Sequence, residues 1–447
     1  MGSVVKTETG IRSIAFLGDY LPRKCGIATF TSDLLEAVAA RHPKGSCFAV
    51  PVTDIDGRYR YPDAVRFEIA ERDLASYRRA ANFLNSTHVD IVSLQHEFGI
   101  FGGPAGSYLL ELLRGLSAPV VTTLHTVLLR PNADQHRVMR ELIAHSARLV
   151  VMAERGRTIL EDVYGVPPAK IDLIPHGIPD VRFVDPDCYK GQFGVAGKKV
   201  LLTFGLLSPN KGIEHVLNAL PEVVAEFPDV VYIVLGATHP NEFRARGETY
   251  RLSLEAMARK NRVEKSVIFH NRFVDLKELT EFIGAADLYI TPYLDEAQST
   301  SGTLAYAFGA GKAVISTPYW HAAELLSNQR GVLVPFADAK AIAREVRGLL
   351  RDRTRRLTMS DRAYKLGRAM VWSNTARLYL RAFELARRQK AAAAHEPVSV
   401  NGFGPWTYES PELNPDRVYR MPDRTTSFGL RSRSDVAPDA STGPPSR

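Results

Sequence analysis

Short runs rich in Val, Ile and Leu alternate with helical patterns along most of this chain, and the alternation stops once and starts again near its middle. Apolar runs separated by helix-length segments predict parallel sheets covered by helices. In the first half the runs are Ile11 to Gly18, Ser46 to Val52, Val89 to Gln95, Pro119 to His125, Arg148 to Ala153 and Ile171 to Pro175. After a connection over Arg182 to Lys198 they are Lys199 to Gly205, Val230 to Gly236, Ser266 to His270, Asp287 to Pro292, Ala313 to Thr317 and Gly331 to Pro335. At 447 residues the chain exceeds what one core can organise. The expectation is an N-terminal domain over residues 1–185 and a C-terminal domain over 186–368. A helical segment follows over 369–390, then a Pro/Ser/Arg-rich tail over 391–447 with too little apolar periodicity to pack.

Composition removes several function classes. No apolar run approaches the roughly 20 residues needed to cross a bilayer. The start, MGSVVKTETG, lacks the basic and apolar regions of a signal peptide. Cys25, Cys47 and Cys188 are too scattered for a disulfide framework or a zinc site, so a cytoplasmic location is expected. The net charge of +8 favours phosphates or anionic surfaces. No nucleic-acid module and no metal-ligand spacing is present. Arg72, Arg78 and Arg79 with Leu74, Tyr77 and Phe83 fit either a basic amphipathic surface for weak peripheral membrane contact or a helix packed on its sheet.

Parallel sheets bind ligands beyond the carboxyl ends of their strands, so those loops hold the candidate site. The stretch PYLDEAQSTSGTLAYAFGAGKAVISTP predicts a strand, a polar loop, a helix over Thr303 to Ala310 and another strand. The helix start behind Ser301 and Gly302 offers free amides and a positive dipole end to a phosphate. In FGLLSPNKG, Lys211 follows a strand break at Gly205 and can reach the same phosphate. Neither loop is a Walker motif, and no GxGxxG opens either half. In the first half, Gly26 stands between loop and helix, either as a turn residue or where a ligand approaches. His96 and Glu97 close the third run and His125 the fourth, which fits sugar-hydroxyl or acid–base contacts.

These motifs, in this order, resemble the retaining glycosyltransferases of family four, also called group 1, which have the GT-B fold. The resemblance rests on the Gly26 loop, HGIPD from His176 to Asp180, FGLLSPNKG, VLG ending at Gly236, ADLYITPY, and GAGKAVIST followed by HAAELL. It implies two facing Rossmann-like domains with an interdomain cleft and a last helix that crosses back to the first domain. The N-terminal domain would take the acceptor and the C-terminal domain a UDP- or GDP-linked sugar, with no cofactor and no metal. His125, Lys211 and Gln298 would be the catalytic set. Gly205, Lys211, Arg272, Gln298, Ser301, Gly302, Thr303, Tyr306 and Glu324 would hold the donor, and Gly26, His96 and Glu97 would line the acceptor or phosphate side.

The chain departs from the family's pattern at three positions. Gln298 and Tyr306 replace the usual pair of glutamates, and Leu206 replaces an arginine, for which Arg272 is the candidate substitute. The resemblance implies transfer of glucose or mannose to an envelope lipid, glycan or small acceptor. The alternatives are a silent nucleotide-sugar-binding protein of the same fold and a sugar-nucleotide epimerase.

Overall fold

The computed structural model describes residues 10–55 and 59–395. Seven strands, β1 (Ser13–Gly18), β2 (Ser46–Thr53), β3 (Ile69–Ala70), β4 (Ile91–His96), β5 (Val120–Leu124), β6 (Ser146–Val151) and β7 (Ile171–Leu173), form one sheet in the order β3-β2-β1-β4-β5-β6-β7. The second sheet takes β8 (Lys199–Phe204), β9 (Val230–Leu235), β10 (Val267–His270), β11 (Leu288–Thr291), β12 (Ala313–Ser316) and β13 (Val332–Leu333) in the order β10-β9-β8-β11-β12-β13. Every pairing in both sheets is parallel. Each expected strand is present. The additional β3, two residues long, is too short to leave a periodic signal and exists because it pairs with the end of β2.

The topology positions the site. In each sheet the first strand lies inside, β1 between β2 and β4 and β8 between β9 and β11. There the connections leave in opposite directions, and the strand-end loops separate into a crevice. The loops brought together are those after β1, β4 and β5 in one half and those after β8 and β11 in the other.

Apolar side chains cover both faces of both sheets, which explains why the strands read as unbroken hydrophobic runs. The last helix, Trp372–His395, returns to the first sheet. Its Tyr379 hydroxyl pairs with Thr123 of β5 at 2.9 Å, and Phe383 meets Phe16 of β1 edge-on at 6.5 Å. Both rings are fully buried, each contributing about 1.5–3 kcal/mol. The chain crosses back beside the HGIPD turn, where the Ile178 amide donates to the Met370 carbonyl and the Ile178 carbonyl accepts from the Trp372 amide, both at 2.9 Å.

The pattern around Arg78 resolves to the packed-helix reading. In the helix Leu74–Ser86, Tyr77 is fully buried, and Phe83 packs on Phe48 and Phe67. Arg78 and Arg79 pair with Glu111 and Asp73. The apolar face that a membrane would need is already in the core. The tail expected over 391–447 lies, beyond residue 395, outside the described residues.

Candidate active site

In the second half the site is assembled by two loops. After β8 the chain makes one turn of 3-10 helix, Pro209–Lys211, and leaves it through Gly212 in the left-handed region at φ +63°. A Cβ on Gly212 would stand 2.2 Å from the Pro292 carbonyl oxygen, so only glycine lets this loop lie on the end of β11. That contact sets the Lys211 ammonium 3.8 Å from the centre of the Tyr293 ring, a cation–π pair. The Tyr293 hydroxyl bonds to Thr303 Oγ1 at 2.9 Å, and Thr303 Oγ1 to Ser301 Oγ at 3.1 Å. Gly205 faces the Thr303 methyl group. Lys211, Gly205, Ser301, Gly302 and Thr303 are thereby gathered at one place, as their spacing along the chain cannot show.

The helix Gly302–Gly309 begins there, one residue earlier than the pattern indicated, with Ser301 Oγ capping the Leu304 amide at 3.3 Å. The first intrahelical bond is made by the Ala305 amide to the Ser301 carbonyl, so the Gly302 and Thr303 amides precede it at the positive end of the dipole. His321, from HAAELL, accepts the Ser301 amide at 2.9 Å and holds the loop that feeds the helix.

From the first half, His125 approaches this helix start through two other rings. Its Nε2 pairs with Gln95 Oε1 at 3.0 Å, and the edge of Phe30 packs on it at 4.9 Å. Phe30 also touches His176 of the HGIPD turn, whose Nε2 lies where a Cβ on Gly302 would stand 2.9 Å away. A side chain at residue 302 would therefore displace the His176 ring. Burial, reinforced by His176 and His96, holds His125 down to about 3, and burial lowers His176 to about 4 and His96 and His321 to about 3. At neutral pH all of them are uncharged, able to donate or accept hydrogen bonds without carrying charge into the crevice.

Some expected site residues are committed elsewhere. The Tyr306 side chain is buried and donates its hydroxyl to Asp33 Oδ2 of the N-terminal half at 2.7 Å, so in this conformation it ties the halves together instead of facing a ribose. Glu324 accepts the amides of Glu154 at 2.9 Å and Arg155 at 3.4 Å, capping the helix Glu154–Tyr164 of the other half. Arg272 forms a two-pronged pair with Glu278, so its charge is not available to a diphosphate clamp. Gln298 donates to the Thr300 carbonyl and shapes the loop.

The remaining expected residues line the first half's strand ends. Gly26 is exposed, with open space where a Cβ would stand, at the start of the helix Gly26–Arg41. Glu97 accepts from the Thr126 hydroxyl and the Phe98 amide, and burial raises its pKa. His96 is fully buried. Sequence reading assigned no role to Asp19, Asp33, His176, Tyr293 or His321, although HGIPD, ADLYITPY and HAAELL contain three of them. Asp19, His176 and Tyr293 share one signal, a polar residue just after a strand end, whereas Asp33 and His321 stand on helices and carry none.

Comparison with known proteins follows this division. Residues 26–182 match the family model described as Glycosyltransferase Family 4, and residues 198–352 match the one described as Glycosyl transferases group 1. The phosphatidyl-myo-inositol mannosyltransferase of Mycolicibacterium smegmatis is 25% identical over 323 residues, covering 69% of this chain and 75% of that protein. The alpha-monoglucosyldiacylglycerol synthase of Streptococcus pneumoniae is 25% identical over 332 residues, covering 68% and 71%. The sucrose-phosphate synthase of Thermosynechococcus elongatus superposes with a TM-score of 0.68 at 16% identity, over 85% of this chain and 100% of that one. The Anabaena Alr3699/HepE structure in complex with UDP gives 0.65 at 16% identity, over 83% and 98%. These superpositions establish the fold as GT-B.

Proposed function

Because the chain belongs to the family 4, group 1 glycosyltransferases, and is therefore a glycosyltransferase, we propose that it moves glucose or mannose from a nucleoside diphosphate sugar to a lipid, glycan or small acceptor, with retention at the anomeric carbon and without a bound metal. The observation that carries this reading is the convergence of the Lys211 ammonium with the start of the helix Gly302–Gly309 through Tyr293 and Thr303. A cation beside unbonded helix amides suits a diphosphate.

In this mechanism the bond between the anomeric carbon and the β-phosphate oxygen breaks as the new bond to the acceptor oxygen forms on the same face. The acceptor's proton passes to the departing phosphate oxygen. Lys211 and the Gly302 and Thr303 amides stabilise the charge that develops there. His125, neutral and with its Nε2–H given to Gln95 Oε1, accepts a hydrogen bond through Nδ1 from a sugar hydroxyl near the reacting carbon. The relatives named above support a lipid acceptor, and no helix among the described residues is long and apolar enough to cross a membrane. In this reading the chain meets an acceptor lipid by peripheral contact with the membrane surface.

Calorimetric titration with UDP and GDP, then with the matching glucose and mannose donors, tests the reading. Binding of one nucleotide and release of it from one sugar donor is the expected result. Failure of both nucleotides to bind would overturn it.

A further inference from the structure

The strand ends of the N-terminal sheet collect carboxylates. Asp19 follows β1, Asp54 follows β2, Glu71 follows β3 and Glu97 follows β4, and parallel pairing brings all of them to one edge. Asp19 is fully buried, accepting Arg23 Nη1 at 2.7 Å and the Cys25 thiol at 3.1 Å. Burial, partly offset by Arg23, pushes its carboxyl up to about 6. Arg23 also reaches Asp54 Oδ2 and the Val52 carbonyl, both at 3.4 Å, so its charge is shared between two acids. Asp54 further accepts the Tyr59 hydroxyl at 2.8 Å and lies 3.9 Å from the exposed Arg244 of the other half. Lys24 is exposed at the lip of the same loop.

A second observation points to a ligand. His96 is fully buried, and neither of its ring nitrogens has a hydrogen-bond partner among the described residues. The register Leu17↔Leu94, continued by two residues, puts His96 beside Asp19 on the same face of the sheet. The rings of Phe98 and Phe101 flank it at 4.9 and 6.1 Å. A buried imidazole left unpaired costs about 1–3 kcal/mol, and a bound hydroxyl would recover that cost.

We infer that this edge selects an acceptor whose ring is uncharged and rich in hydroxyls, a neutral sugar or polyol, over its phosphorylated counterpart. The inference rests on the glycosyl transfer proposed above. Hydroxyls donate to Asp54, Glu71 and Glu97 and accept from or donate to His96, while the buried Asp19 holds Arg23. A phosphate monoester brings nearly two negative charges to the same carboxylates and finds Arg23 already paired.

The test uses the full chain and the sugar donor it binds, with release of nucleotide followed above the rate of donor hydrolysis by water. The probes are matched pairs, myo-inositol with myo-inositol 1-phosphate and glucose with glucose 6-phosphate, together with phosphatidylinositol vesicles. The neutral member of a pair is expected to show at least about tenfold higher kcat/KM. Preference for a phosphorylated probe overturns the inference, and so does a failure of every neutral probe to accelerate or inhibit release. Absence of donor binding and hydrolysis would instead bring down the parent reading. In the double variant Asp54→Asn/Glu71→Gln, which frees Arg23 from one acid, the preference should shrink by about tenfold. An unchanged ratio would remove these carboxylates from acceptor selection.

Discussion

Beyond β8 and β11 one cation and two helix amides are left uncommitted, whereas beyond β1 and β4 the charged groups are paired with one another or with nearby donors. Lys211 rests on an aromatic face with no carboxylate bonded to it among the described residues, and the Gly302 and Thr303 amides open a helix. Across the crevice Arg23 is held by Asp19 and Asp54, and Glu97 by Thr126 and Phe98. The difference follows from the ligands proposed for each side. A diphosphate brings its own charge and needs an available cation and free donors. Hydroxyls bring only weak dipoles and are recognised by a network fixed beforehand.

Breaking the uncommitted side should have the largest effect. Lys211→Ala is expected to lower kcat/KM by about 10²–10³, roughly 2.7–4 kcal/mol, and to weaken nucleotide binding in calorimetry. Unchanged affinity would place the phosphate elsewhere. Next, His125→Ala should cost about a hundredfold in transfer while the dissociation constant for free nucleotide stays put. Weakened nucleotide binding in that variant would erase the distinction between the two sides.

Acidity offers a test of the buried groups. His96, His125, His176 and His321 have folded pKa values of about 3 to 4, below the ordinary 6.5, so their contribution is present above pH 6.5 and lost as pH falls towards 4. Asp19 and Asp33, raised to about 6, act in the opposite direction, being most favourable below pH 4 and losing stability as pH rises through 6. The histidines outnumber the aspartates and shift further. The thermal midpoint should therefore drop between pH 6.5 and 4, and a midpoint that rises over this range would contradict the burial assigned to them.

Two smaller effects separate packing from binding. Tyr306→Phe leaves the half-buried Asp33 without its hydroxyl donor and should cost about 1–3 kcal/mol in denaturant unfolding, with little change in donor KM. A large KM change with stability intact would return Tyr306 to the ribose. Arg272→Ala loses only an exposed pair with Glu278, within about 1 kcal/mol, and should leave nucleotide affinity as it was.

The local shape of the loops proposed to hold the donor was legible because it is set by neighbouring residues. Gly212 after Lys211 and Ser301 before Gly302 are a turn and a cap that any chain would form from those neighbours. Tyr306, Glu324 and Arg272 were not legible, because each has a partner far along the chain or facing it across a loop. Tyr306 and Asp33 lie 273 residues apart and touch only where the two halves meet. The β3 strand escaped notice for a related reason, since it has no periodicity of its own and is defined by its neighbour.

By itself the sequence determined the two parallel sheets, the order of their loops and the family, since these follow from hydrophobic periodicity and short motifs. Only the tertiary structure decided which polar side chains stay available and which are used up. A side chain's availability depends on what reaches it through space. Asp33 against Tyr306, Glu324 against the helix Glu154–Tyr164, and His176 against Gly302 are all meetings between the two halves.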